Sequence, residues 1–199
     1  MTKGRLEAFS DGVIAIIITI MVLELRVPVR ADLHALIAEP QNLHLKFACY
    51  ILSFVYLAIY WNNHHHMLHS MQRVNGAILW ANMHLLFWLS LVPFVTGWMG
   101  ETSFAPVPAA LYGVVMLFAA VAYYILQGTI LRLEGPHSRL ARAVGGDLKG
   151  KISPVIYLTA VPAAFLSPWI SGALYAAVAL IWLVPDRRIE RVLVEEDRK

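Results

Sequence analysis

The sequence predicts an all-α integral membrane protein with six transmembrane helices, and three observations carry that expectation. Only 15% of its 199 residues are charged, 59% are hydrophobic, and mean hydropathy is +0.62; an average soluble domain is about 25% charged. Charged residues are also absent from long stretches, which only lipid-facing helices explain. Finally, Lys and Arg gather in alternate connections. The same observations exclude other classes. The single Cys49 can form no intrachain disulfide, and no cysteine pair is present for a zinc or iron–sulfur centre. The pI near 9.1 reflects cytoplasmic loops rather than nucleic-acid binding.

A helix needs roughly 20 apolar residues to cross a hydrocarbon core of about 30 Å. The first expected span, 9–25, is unusual, because only Gly12 to Leu23 separate Asp11 from Glu24, about 18 Å of helix. A signal peptide is the simpler reading, with Lys3 and Arg5 before an apolar stretch, but Glu24-Leu25-Arg26 follows with no small-x-small cleavage site. A short helix with acidic ends is expected to be shielded from lipid or to line water.

The second span, 47–64, lies between Lys46 and Arg73, and the third, 77–98, between Arg73 and Glu101. The fourth, 107–131, follows Pro106 and Pro108, residues suited to a first helical turn. Lys151 to Asp186 is uncharged and too long for one crossing, so it is expected to hold two, 152–167 and 171–185, joined by a turn over Ser167-Pro168-Trp169-Ile170-Ser171-Gly172. Residues 1–185 then form one membrane domain. Residues 186–199 form a cytoplasmic tail, expected as a short salt-bridged amphipathic helix.

Thirteen Lys and Arg fall on the side of the termini and three (Arg26, Arg30, Lys46) on the other. Both termini are therefore expected in the cytoplasm of a multi-pass cell-membrane protein. Trp80, Trp98 and Trp169 fall near span ends, where interfacial aromatics belong.

Arg5-Leu6-Glu7-Ala8-Phe9-Ser10-Asp11 is the densest polar cluster beside a span. Helix capping would account for Ser10 or Asp11 singly, but not for Arg5, Phe9 and both polar residues together ahead of so short a span. Arg5-x-x-x-Phe9-Ser10-Asp11 resembles the signature that opens the first helix of the lysosomal and endosomal potassium channels and their bacterial relatives. Tyr60-Trp61-Asn62-Asn63-His64-His65 is similar to that family's Y-W-x-x-H-H segment. Asn82, Leu85 to Phe87, and Leu91-Val92-Pro93-Phe94-Val95-Thr96-Gly97 are similar to its third helix. The matches keep chain order over residues 5 to 97, and no second copy of the signature occurs, as in the bacterial single-repeat form.

The resemblance implies a homotetramer in which the first helix of each subunit lines a central pore, with Ile16 and Leu23 at apolar constrictions and Thr19 as a hydroxyl layer. No Thr-Val-Gly-Tyr-Gly filter is present. Thr19 lies about 60° and Leu23 about 20° around an ideal helix from Ile16, with Ile20 on the same face at about 40°. A Thr in such a helix also commonly bonds its own backbone or a neighbouring helix. Ser10 and Asp11 point away from this stripe, and Trp61, His64, His65 and Asn82 are the expected partners of a structural knot.

His65 and His69 share a helical face, but no carboxylate stands close in sequence, so the His64-His65-His66 cluster is expected as a solvated cap rather than a metal site. His84, inside the third span, is expected to bond another helix. Gly145-Gly146-Asp147 and Gly135-Pro136 are turns without a following Gly-Lys-Ser/Thr, and no G-x-S-x-G or H-E-x-x-H segment occurs, so no enzyme and no cofactor is expected. The functional expectation is a potassium-selective, leak-type channel with potassium as the permeant ion. The competing expectation is a proton-coupled transporter with Asp11, His84 and Glu24 on a relay.

Overall fold

The computed structural model describes residues 1–25, 43–144 and 148–183. Among these residues the helices are α1 (Lys3–Ile20), α2 (Leu43–Ser70), α3 (Gly76–Ser90), α4 (Val92–Glu101), α5 (Pro106–Glu134), α6 (Arg139–Val144), α7 (Leu148–Leu166) and α8 (Pro168–Leu183). A 3₁₀ turn, Met21–Glu24, extends α1. Among the described residues, four stretches are long and apolar enough to cross a membrane: Lys3–Glu24, Leu43–Ser70, Gly76–Glu101 and Pro106–Glu134. Pro168–Leu183 is apolar but shorter. The expected tail 186–199, the end of the span 171–185, Arg26 and Arg30, and the turn at Gly145-Gly146-Asp147 lie outside the described residues.

The helix boundaries depart from expectation where local chemistry is strongest. Thr2 precedes the first helix, so Ser10 and Asp11 sit two turns inside α1 instead of capping it. Their backbone amides are already paired, which frees both side chains for neighbours. The third span is two helices, because Pro93 has no N–H to give to the carbonyl four residues back. The chain tightens there, with Leu91 N donating to Trp88 O at 3.2 Å. Ser167 alone separates α7 from α8, and Pro168 sets the first turn of α8. The turn expected over six residues is thus mostly helical.

α5 lies between α3 on one side and α7 with α8 on the other, while α1 packs on α2, α3 and α4. The pore-helix candidate is therefore at one edge of the bundle. The interior is built around four buried rings, Tyr56, Tyr112, Tyr157 and Tyr175. Each hydroxyl in a dry core needs a partner. Tyr56 donates to the Tyr175 carbonyl at 2.6 Å and Tyr175 to the Ala109 carbonyl at 2.9 Å. Ser53 Oγ lies 2.7 Å from Thr96 Oγ1 and 3.2 Å from the Tyr112 hydroxyl, tying α2 to α4 and α5. Gly113 permits the close approach of Tyr175, whose hydroxyl occupies the space of a Cβ. Between α4 and α5, Ser103 and Phe104 adopt φ of 54° and 63°, and the Phe104 ring stacks on Trp169 at 5.5 Å.

Candidate pore helix and its polar anchor

α1 has two unlike faces. Leu6, Ser10, Ile14, Ile17 and Met21 are buried at steps of three and four residues, so this face meets the bundle. Around the helix, Ile16 is 60% exposed and Leu23 76% exposed, with Thr19 and Ile20 exposed between them. A single chain leaves this stripe without packing. The 3₁₀ turn keeps Leu23 on the stripe, because residues three apart eclipse in that geometry and Leu23 stands above Ile20. The Thr19 hydroxyl donates to its own helix at Ile16 O, 3.0 Å away. That bond uses its only proton and leaves oxygen lone pairs directed outward.

Behind the stripe, a buried hydrogen-bond chain fixes α1. Asn75 caps α3, accepting from Ile78 N at 2.9 Å, and so sets the start from which Asn82 is two turns distant. Asn82 Nδ2 donates to Ser10 Oγ at 2.9 Å, and Asn82 Oδ1 lies 2.7 Å from His64 Nε2. All three residues are fully buried. An amide donating through nitrogen must accept through oxygen, so His64 carries its proton on Nε2. His64 Nδ1 is then a buried acceptor with no hydrogen-bond partner.

Asp11 takes a separate partner, accepting from Trp61 Nε1 at 3.0 Å. His65 does not reach Asp11. Its ring stacks between Trp61, at 5.9 Å, and His69, at 6.1 Å. At the same end, Lys3 Nζ donates to His69 O at 2.5 Å and lies 3.8 Å from Glu7. Lys3, Glu7 and Asp11 thus form a four-residue-step column on α1, bonded at both ends to the column Trp61, His65 and His69 on α2. Arg5 and Phe9 are exposed on other sides of α1, so the signature divides between an inward pair and an outward pair.

The structure does not assemble a relay. His84 accepts from Trp88 Nε1 at 3.0 Å within α3, rather than bonding another helix as expected. Its imidazole is exposed, because the same α3 face that buries Asn82 turns residue 84 outward. Glu24 sits at the far end of α1 with its carboxylate against Gly97, where a Cβ would overlap it. Among the described residues, no group of three or more His, Cys, Asp or Glu side chains could hold a metal.

Two anchoring features escaped the sequence reading. One is the Lys3 and Glu7 extension of the column, whose regular spacing was a readable signal. The other is Glu134 at the end of α5, whose carboxylate accepts from the backbone amides of Gln72 and Arg73 at 3.0 and 3.1 Å. Nothing in the sequence marks Glu134, because both partners lie more than sixty residues away.

Among the described residues, four stretches long and apolar enough to span and a further apolar helix, locked by a buried polar chain, define a multi-pass α-helical membrane protein. Residues 5–93 match the family described as endosomal/lysosomal potassium channel TMEM175. A potassium channel from Chryseobacterium sp. (strain P1-3) is 52% identical over 195 residues, covering 98% of this chain and 100% of the relative. A potassium channel from Streptomyces collinus is 32% identical over 192 residues, covering 90% and 91%. The crystal structure of a lysosomal potassium-selective channel TMEM175 homologue from Chamaesiphon minutus superposes with a TM-score of 0.78 at 29% identity, covering 92% of this chain and 96% of that one. The chain belongs to the TMEM175 family.

Proposed function

We propose that the protein is a potassium channel subunit that conducts along the outward stripe of α1. The observation that carries this reading is the pairing of an unpacked stripe, Ile16, Thr19, Ile20 and Leu23, with a buried hydrogen-bonded anchor on the opposite face of the same helix. Apolar side chains left bare in one chain become a constriction when copies of the chain face one another. Four copies supply the walls, and six crossings per chain, with α7 and α8 as the fifth and sixth, place both termini in the cytoplasm of the cell membrane by the distribution of Lys and Arg. The family's relatives are channels, and the protein is an ion channel rather than an enzyme.

In this pore, Ile16 and Leu23 exclude ions by dewetting when close together. Opening withdraws them through rotation or splaying of α1 about its anchor. Selectivity arises from partial dehydration at the narrow ring, where potassium loses water more cheaply than sodium. Thr19 suits the hydroxyl layer because its proton is held by Ile16 O and its lone pairs face outward. The test is flux from reconstituted vesicles under opposed potassium and sodium gradients. Potassium flux exceeding sodium flux is expected; no flux, or flux that requires a proton gradient, overturns the reading.

A further inference from the structure

At the end of α1 far from the polar anchor, the Glu24 side chain lies on α4 in a space that exists because residue 97 is glycine. A Cβ at Gly97 would stand 2.5 Å from Glu24 Oε2, 2.9 Å from its Cδ and 3.2 Å from its Cγ. Gly100 receives Lys46 in the same way, for a Cβ there would stand 3.1 Å from Lys46 Cγ and 3.2 Å from its Cα. Residues three apart share a helical face and differ by about 4.5 Å in height. One face of α4 therefore offers two neighbouring seats, one taken from the end of the pore-helix candidate and the other from the start of α2.

The two seated side chains carry opposite charge. Lys46 is 7% exposed, and its ammonium lies 4.0 Å from Oε1 of Glu101, which is itself well exposed. That distance makes an ion pair rather than a hydrogen bond. Lys46 thus places a buried positive charge beside the face on which the Glu24 carboxylate rests. The backbone carries the consequence to the pore stripe. The 3₁₀ turn Met21–Glu24 packs on α4 and α2, Met21 is buried, and Leu25 N closes the turn on Val22 O at 3.0 Å. In so tight a turn, Glu24 cannot be displaced without carrying Leu23 with it.

We propose that Glu24, seated on Gly97 beside Lys46, is a positioning residue for the pore: it latches the far end of α1 and sets how far Leu23 reaches toward the axis. The proposal deepens the channel reading above and rests on it. α1 is then fixed at both ends by different helices, through Ser10 and Asp11 on α3 and α2 and through Glu24 on α4. Rotation or splaying about the first anchor requires Glu24 to leave its seat, so the seat favours the arrangement in which Leu23 closes the pathway.

The experiment uses the full-length protein in phosphatidylcholine vesicles with a reporter thiol at the constriction, Leu23→Cys. The rate of thiol modification by a membrane-impermeant methanethiosulfonate is read beside potassium flux. Cys49 is buried, and the protein without the reporter gives its background. Against the Leu23→Cys parent, Glu24→Ala empties the seat and Gly97→Ala blocks it. Because the obstructing atoms belong to an exposed, flexible side chain, Gly97→Ala should displace Glu24 rather than the helices. Each change is expected to raise the modification rate at least about threefold, the low end of coupling between touching residues, and to raise flux. Glu24→Gln keeps the shape without the charge and should give a smaller rise. In the Glu24→Ala background, Gly97→Ala should add nothing. Unchanged modification and flux in Glu24→Ala overturn the proposal, and this variant decides alone if Gly97→Ala does not assemble. An effect of Gly97→Ala as large without the Glu24 side chain as with it also overturns it, since Gly97 would then serve only the packing of α4. Absence of potassium flux from every form would count against the channel reading alone, because thiol modification is read without conduction.

Discussion

The indole N–H of Trp61 points at the Asp11 carboxylate across 3.0 Å, from one helix of the bundle to the pore-helix candidate. Beside it, Ser10 is held by Asn82 and Asn82 by His64. Adjacent residues of α1 therefore answer to two different helices, α2 and α3. A rigid helix bonded at two azimuths has little freedom to roll, so the stripe opposite is held in one orientation.

Asp11→Asn should weaken this hold without changing its shape. The amide is a poorer acceptor for Trp61 and brings two new donors into a site arranged for an anion. A loss of about 1 kcal/mol in stability is expected, in line with interhelical bonds in membranes. Thermal unfolding in detergent, read together with potassium current, checks it; unchanged stability with loss only of a pH-dependent transport would favour a transporter.

Removing the centre of the buried chain should cost more than removing its end. Asn82→Leu leaves Ser10 without its donor and His64 Nε2–H without its acceptor, at roughly 1–3 kcal/mol for each buried group stranded. Ser10→Ala removes one bond only. The double variant should be less destabilised than the sum of the two single ones, and a strictly additive result in unfolding experiments would mean that the chain is not energetically continuous.

Thr19→Val keeps the volume of the side chain and deletes its oxygen. Potassium preference over sodium should shrink while assembly and conduction persist, seen as a shift of reversal potential under mixed ions. Ile16→Ala or Leu23→Ala should instead widen the constriction and raise current with less selectivity. Shifts caused by Ile20→Ala, with none from Thr19→Val, would place the pore axis on the Ile20 side of the stripe.

One chain cannot enclose a pathway with a helix at its edge, so a symmetric homotetramer is expected from mass measurement in detergent. Conduction by a monomer would leave Ile16, Thr19 and Leu23 without symmetry mates and remove them from the pore.

Gly113→Ala tests the core independently of conduction. The added Cβ would collide with the Tyr175 hydroxyl, which is held by the Ala109 carbonyl and cannot swing aside without breaking that bond. Destabilisation of about 1–3 kcal/mol is expected from such overpacking, visible as a lowered melting temperature.

By itself, the sequence determined which stretches are apolar enough to enter lipid, because charge is too costly in hydrocarbon to be placed there casually and Lys46, Arg73, Glu101 and Lys151 bracket the apolar stretches. It also determined the family resemblance, since Arg5, Phe9, Ser10 and Asp11 keep a fixed spacing on one helix turn after another. Helical periodicity placed Ile16, Thr19 and Leu23 on one face. Only the tertiary structure decided which partner each polar residue takes: Ser10 with Asn82, Asp11 with Trp61, His84 with Trp88 of its own helix. Those choices depend on the relative rotation and height of α1, α2 and α3, which side-chain packing sets and local spacing does not encode. The tyrosine network was equally hidden. A Tyr within an apolar span reads as one more hydrophobic residue, and only the approach of Tyr56, Tyr112 and Tyr175 from distant segments turns their hydroxyls into ties between helices.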